Sequence, residues 1–184
     1  GGKKVTVKGI EVTVIRDDMD VAKLPTQVYF KETTDLSGVL FTSFSLMPNQ
    51  EWSQMFSSYK DFSRQDEQNL NSNIRDLQTD LKTQKEQDKD SPDLFSVSDE
   101  LTQPFMDMFN SKFIWLHGEY KIRVKVITKN NEADIEKTYK FTLFEYYEQI
   151  LKDSVEDYKY GSSIYWTKSN PLQQSITISI KEDI

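Results

Sequence analysis

Gly118-Glu119-Tyr120-Lys121-Ile122-Arg123-Val124-Lys125-Val126 alternates apolar and charged side chains over the length of a strand. Successive residues of a strand point to opposite faces, so this pattern predicts one buried and one wet face. Thr128 to Glu132 then supply turn chemistry, and Ile135, Tyr139, Phe141 and Leu143 alternate with Glu136, Lys140 and Thr142 on the way back. The segment from Gly118 to Leu143 therefore predicts a β-hairpin. Tyr120, Ile122, Val124, Tyr139 and Phe141 are expected in the core, while Lys121, Arg123 and Lys125 form a basic row on the other face, with Glu136 as a cross-strand partner.

Upstream, Val5 and Val7 alternate with Thr6 and Lys8, and after Gly9 the alternation resumes on the other phase with Ile10, Val12 and Val14. A glycine at a phase slip predicts a bulge, which bends a strand so that it serves two sheets. Thr26 to Thr33 and Val39 to Leu46, separated by a turn at Asp35 to Gly38, complete three expected strands. The period changes after Met47-Pro48-Asn49. Trp52, Met55, Phe56, Tyr59 and Phe62 recur at three and four residues and predict a helix with Asn49 as its N-cap. Ser63, with Asp66 and Glu67 following, predicts a second start, and Leu70, Ile74, Leu77 and Leu81 keep a narrow apolar stripe through Lys85. Asp88 to Asp93 should reverse the chain. A shorter helix is expected from about Ser98 to Phe109, broken or started by Pro104, and strand resumes at Phe113. Phe144, Tyr147, Ile150, Leu151, Val155 and Tyr158 return to helical spacing with Gly161 at the cap position, and Ile164 to Thr167 and Ser175 to Ile180 are expected strands.

The expected fold is α+β and mainly antiparallel: one domain over residues 1–184, a β-sandwich-like body with strands in 3–46 and 112–143. A helical insertion occupies about 49–111, and a C-terminal helix and strands follow in 144–184. The hairpin with its Gly118-x-Tyr120 opening and Tyr139-Lys140-Phe141-Thr142-Leu143 return resembles the penultimate and last strands of immunoglobulin-like and fibronectin type III-like sandwiches. The resemblance covers residues 118–143. It implies a sandwich fold and a binding or spacing role; the chain departs from it in lacking the Cys-Trp-Cys core and in continuing past the hairpin.

The net charge of −7 and a pI near 4.9 argue against nucleic acid and against anionic membrane surfaces as partners. No apolar run is long enough to span a bilayer, so no membrane insertion is expected. With no cysteine, thiol catalysis and thiolate zinc sites are excluded, and with His117 as the only histidine so is any site built on two imidazoles. Cysteine avoidance points to an extracytoplasmic setting, periplasmic or anchored at the envelope, and the Gly1-Gly2 opening leaves room for a removed leader. Asp17, Asp18 and Asp20, or Asp88, Asp90 and Asp93, could gather around calcium, but neither continues into a complete calcium loop. No catalytic, cofactor or metal residues are nominated, and no cofactor is expected. The stripe Leu70, Ile74, Leu77 and Leu81 is expected to pack on the last helix of the segment, on the sandwich or on another protein, which makes it the candidate partner surface, and Tyr165 with Trp166 is a candidate stacking platform for a ligand such as a carbohydrate. The expected function is a noncatalytic binding or scaffolding module of an envelope-associated protein; the alternatives are a small-ligand-binding protein and, third, a hydrolase without an identifiable motif.

Overall fold

The computed structural model describes residues 3–30, 38–58, 62–91, 94–130, 134–161 and 176–183. The chain is α+β with a mainly antiparallel sheet, and it divides into two compact units. Gly1–Asp61, Gly118–Thr142 and Ser179–Ile184 make a β unit; Phe62–His117 and Leu143–Ile178 make a helical one. The helical unit thus draws on both the inserted segment and the C-terminal helix.

Eight strands are described: β1 Val5–Arg16, β2 Met19–Phe30, β3 Val39–Leu40, β4 Phe44–Leu46, β5 Met55–Ser58, β6 Gly118–Thr128, β7 Ile135–Leu143 and β8 Lys181–Glu182. They are ordered β3-β2-β1-β6-β7-β8, with β4 also on β1 and β5 also on β2. The expected hairpin is β6 and β7, side by side. The bulge falls where the phase slips, since the β1–β6 register shifts between Val7 and Gly9. On its other edge β1 pairs with β4 at Val5 to Val7 and with β2 from Glu11 onward, so the bend divides one strand between two partners. Pro25 marks a similar change on β2. It is opposite Glu11, at the end of the pairing with β1, and from Thr26 to Phe30 the strand bonds instead to β5, and at Val28 and Tyr29 also to β3. A residue without an N–H suits a point where one ladder stops.

β1 explains where the core lies. Val14 and Tyr120 are each 1% exposed, and Tyr120 stacks on Phe141 at 5.2 Å. Thr13 and Ile15 on the opposite face are also buried, facing Arg123 and Lys121 in register. Long cationic side chains can cover apolar surface with their stems while their heads reach water.

Several elements depart from expectation. Asn49 is no helix cap: it sits at φ 65° in a turn closed by a Gln50 N–H to Met47 carbonyl bond of 3.0 Å. Asn tolerates this left-handed conformation better than most residues. The aromatic run after it is extended, with Met55–Ser58 forming β5; Tyr59 lies outside the described residues. Its rings are recruited laterally, because Trp52 stacks on Phe44 at 5.2 Å and meets Tyr29 and Phe41 edge-on. Aromatic residues suit strands as well as helices, so their spacing alone did not decide. A hairpin turn at Asp17 and Asp18, φ 52° and 59°, joins β1 to β2, starting β2 earlier than its composition suggests.

Helix α1 spans Arg64–Gln87 and begins as expected, with the Ser63 hydroxyl accepting from the Asp66 N–H at 3.1 Å. Helix α2, Asp99–Lys112, runs through Pro104 instead of breaking or starting there. Strand does not resume at Phe113; residues 113–117 form an irregular connector and β6 starts at Gly118. Helix α3, Glu145–Asp153, passes into a 3-10 helix, Ser154–Tyr160, ended by Gly161 at φ 81°. Ser175 to Ile180 was expected to be a strand, yet Ile176 to Ile180 carry none and the short β8 follows them. Ile176 and Ile178 are partly covered and Thr177 and Ser179 exposed, but Ile180 is 49% exposed, so the alternation shows in burial without a ladder. The expected strand Ile164 to Thr167 lies outside the described residues.

Candidate functional site

The stripe Leu70, Ile74, Leu77 and Leu81 is placed inside the helical unit. Leu77 is 0% exposed and clusters with Val97 and Phe105, and Leu70, Ile74, Leu81, Leu101 and Tyr158 pack around them. The face proposed for another protein is thus occupied by the chain's own α2 and 3-10 helix. Tyr165 and Trp166 lie outside the described residues.

The basic row of β6 is matched by acids. Lys121 pairs with Asp18 at 3.1 Å, Arg123 with Glu136 at 3.5 Å and Asp20 at 3.9 Å, and Lys125 with Asp134 at 3.8 Å. The Asp17–Asp18 turn is thereby drawn to cations. Among the described residues no group of three or more His, Cys, Asp or Glu is arranged to hold a metal. A depression of about 290 Å³ lies between Ile15, Asp18, Lys121, Arg123, Thr138 and Asp183. A phosphate entering it would compete with carboxylates for every cation, which gives it little electrostatic gain.

The helical unit carries a more distinctive arrangement at the start of α3. Glu148 is 8% exposed and binds three donors. Its Oε2 accepts from the His117 backbone N–H at 2.5 Å and lies 2.6 Å from His117 Nδ1, while Oε1 accepts from Lys152 Nζ at 2.5 Å. These bonds, Lys152 first, lower the carboxyl to about 2, so Glu148 is ionised at neutral pH. An ionised carboxylate only accepts, which assigns the His117 proton to Nδ1. Lys152 also sits 5.8 Å above the Phe113 ring, and Phe113 packs on Phe109 at 4.7 Å. Both ends of the connector 113–117 are therefore tied to one turn of α3. A carboxylate held this strongly is a poor proton carrier at neutral pH; its chemistry is that of a fastening.

The turn of α3 that carries this fastening is also flanked by aromatic residues. Phe144, at the N-cap of α3, is 62% exposed, and Tyr146 is 71% exposed. Both rings contact the half-buried Tyr147, at 6.3 and 5.9 Å. Phe144 belongs to the apolar stripe read from the sequence, but it is the extended N-cap residue before the helix, and its ring is exposed. Tyr146 falls off that stripe and carried no signal beyond being an aromatic residue on a polar face.

No protein family, characterised protein or solved structure matches this chain. Among the described residues no helix is long and apolar enough to cross a membrane.

Proposed function

We propose that this chain is a noncatalytic binding or scaffolding module whose partner is another protein, and that the partner seats on the exposed aromatic face at the start of α3. The observation that carries this reading is the contact group of Phe144, Tyr146 and Tyr147, two of whose rings are more than half exposed. Tyrosine and phenylalanine are enriched in the centres of protein interfaces, where a large ring adds contact area at small entropic cost. The Glu148 fastening supports it further, because it ties the helix that carries these rings to the connector 113–117, and a backbone fixed before binding loses less freedom on association. An immunoglobulin-like relationship for the β unit rests on the Gly118-x-Tyr120 opening of β6 and its β7 neighbour, and an extracytoplasmic setting rests on the absence of cysteine.

The test is site-specific photo-crosslinking in the producing cells. A benzophenone side chain at position 146 is expected to trap one discrete protein, while the same group at Leu40, 72% exposed on β3, traps none. Trapping at 40 but not at 146 would move the binding surface to the β unit.

A further inference from the structure

We infer that the partner meets this face with an arginine-rich segment, an inference that rests on the α3 face being the binding surface. Tyr146 does not stand among neutral neighbours. Glu145 beside it is exposed, and Gln149 and Asp153, one and two turns onward, continue the same exposed stripe, with a 2.6 Å bond from Gln149 to Asp153. Glu156 lies further along, also exposed. The only cation of α3 is Lys152, whose ammonium is held by Glu148 at 2.5 Å and by the Phe113 ring, on the connector's side. The aromatic stripe therefore keeps a negative surround. An isologous contact with a second copy would set these acids against one another, and an anionic bilayer is repelled by a chain of net charge −7.

Arginine suits such a face better than lysine. In a segment with several arginines one planar guanidinium can stack on an aromatic ring while others bond carboxylates further along the helix through their N–H forks, and guanidinium is more weakly hydrated than an ammonium. Tyr146 offers the ring in the first turn of α3, and Glu145 and Asp153 offer exposed carboxylates at its two ends.

The experiment titrates the full chain, with its backbone amides labelled for NMR, against three peptides of equal length: Arg-Gly, Lys-Gly and Glu-Gly repeats. The Arg-Gly peptide is expected to bind most tightly and to shift amides 144–153 first. Tyr146→Ala should weaken it about threefold, the loss of one exposed cation–π contact, whereas Tyr146→Phe should keep most of the binding. Removing two charges by Glu145→Gln with Asp153→Asn should lower the salt dependence more than Asp76→Asn with Glu86→Gln on α1. Equal effects of the two pairs, or shifts spread over all acidic surfaces, would show nonspecific attraction and overturn the inference. A preference for the Glu-Gly peptide, or no binding of any, would overturn it too; a crosslinked partner at position 146 would then leave the binding surface standing without its charge preference.

Discussion

Glu148 is where one side chain governs most structure, since its two oxygens hold His117 and Lys152 and through them the connector. Its carboxyl is lowered from 4.5 to about 2, so its stabilising contribution is complete above about pH 4.5 and is lost as pH falls toward 2. Denaturant titrations between pH 7 and 2 should show that loss in the wild type. Glu148→Gln should be less stable at pH 7 and flatter across this window, with the remaining slope owed partly to Asp66 and Asp134, also lowered by their hydrogen bonds. Identical slopes in the two proteins would deny Glu148 this role. Gly118 is a second such position. At φ 140° it occupies backbone space that side chains resist, and Gly118→Ala should cost about 1 to 3 kcal/mol by chemical denaturation.

At the scale of elements, α1 is a long polar helix held by its ends and one seam. The Ser63 hydroxyl caps its first turn, and Ser63→Ala should cost about 1 kcal/mol, read as a lower midpoint in urea. The seam matters more. Leu77→Ala should cost about 2 to 5 kcal/mol because the side chain is fully enclosed, whereas Lys125→Ala on β6, 42% exposed and paired at 3.8 Å, should be near neutral. Comparable losses would mean that the seam is not a packed core. β1 shows the complementary case, where a bulge at Gly9 and a bifurcated pairing serve more partners than a straight strand could.

For the whole molecule, the consequence is two sites of cohesion. Leu77, Val97 and Phe105 anchor the helical unit, and Val12, Val14, Tyr120 and Phe141 are buried in the β unit. Native-state hydrogen exchange should accordingly show two protection groups, and Leu77→Ala should speed exchange in α1 and α2 while leaving β1 and β6 amides protected. A uniform acceleration would mean that the chain unfolds as one cooperative body. Replacing 64–112 by a short linker should leave Phe105 and Phe109 absent from Tyr158, so the 3-10 helix should lose order along with α1 and α2.

The hairpin, the Gly9 bulge, the Ser63 cap, the α1 stripe and the Gly161 stop were legible because each rests on local rules: alternation, capping and left-handed tolerance act within a few residues. The run from Trp52 to Ser58 departs from its expected helix for the opposite reason, since its aromatic spacing suits a helix and only the rings of Tyr29, Phe41 and Phe44 hold Trp52 beside extended chain. That Leu70, Ile74, Leu77 and Leu81 form one apolar stripe was clear from their period, but that Leu77 is enclosed and its neighbours partly covered depended on α2 and on a helix many residues later in the chain. The candidate site was the least legible part. Glu148, His117 and Lys152 are unremarkable as letters, and the exposure of Phe144 and Tyr146 depends on which surfaces the rest of the chain covers. Sequence by itself determined the local periods and hence the fold class; tertiary structure alone decided which apolar faces found partners within the chain, because burial is a property of what comes to lie opposite.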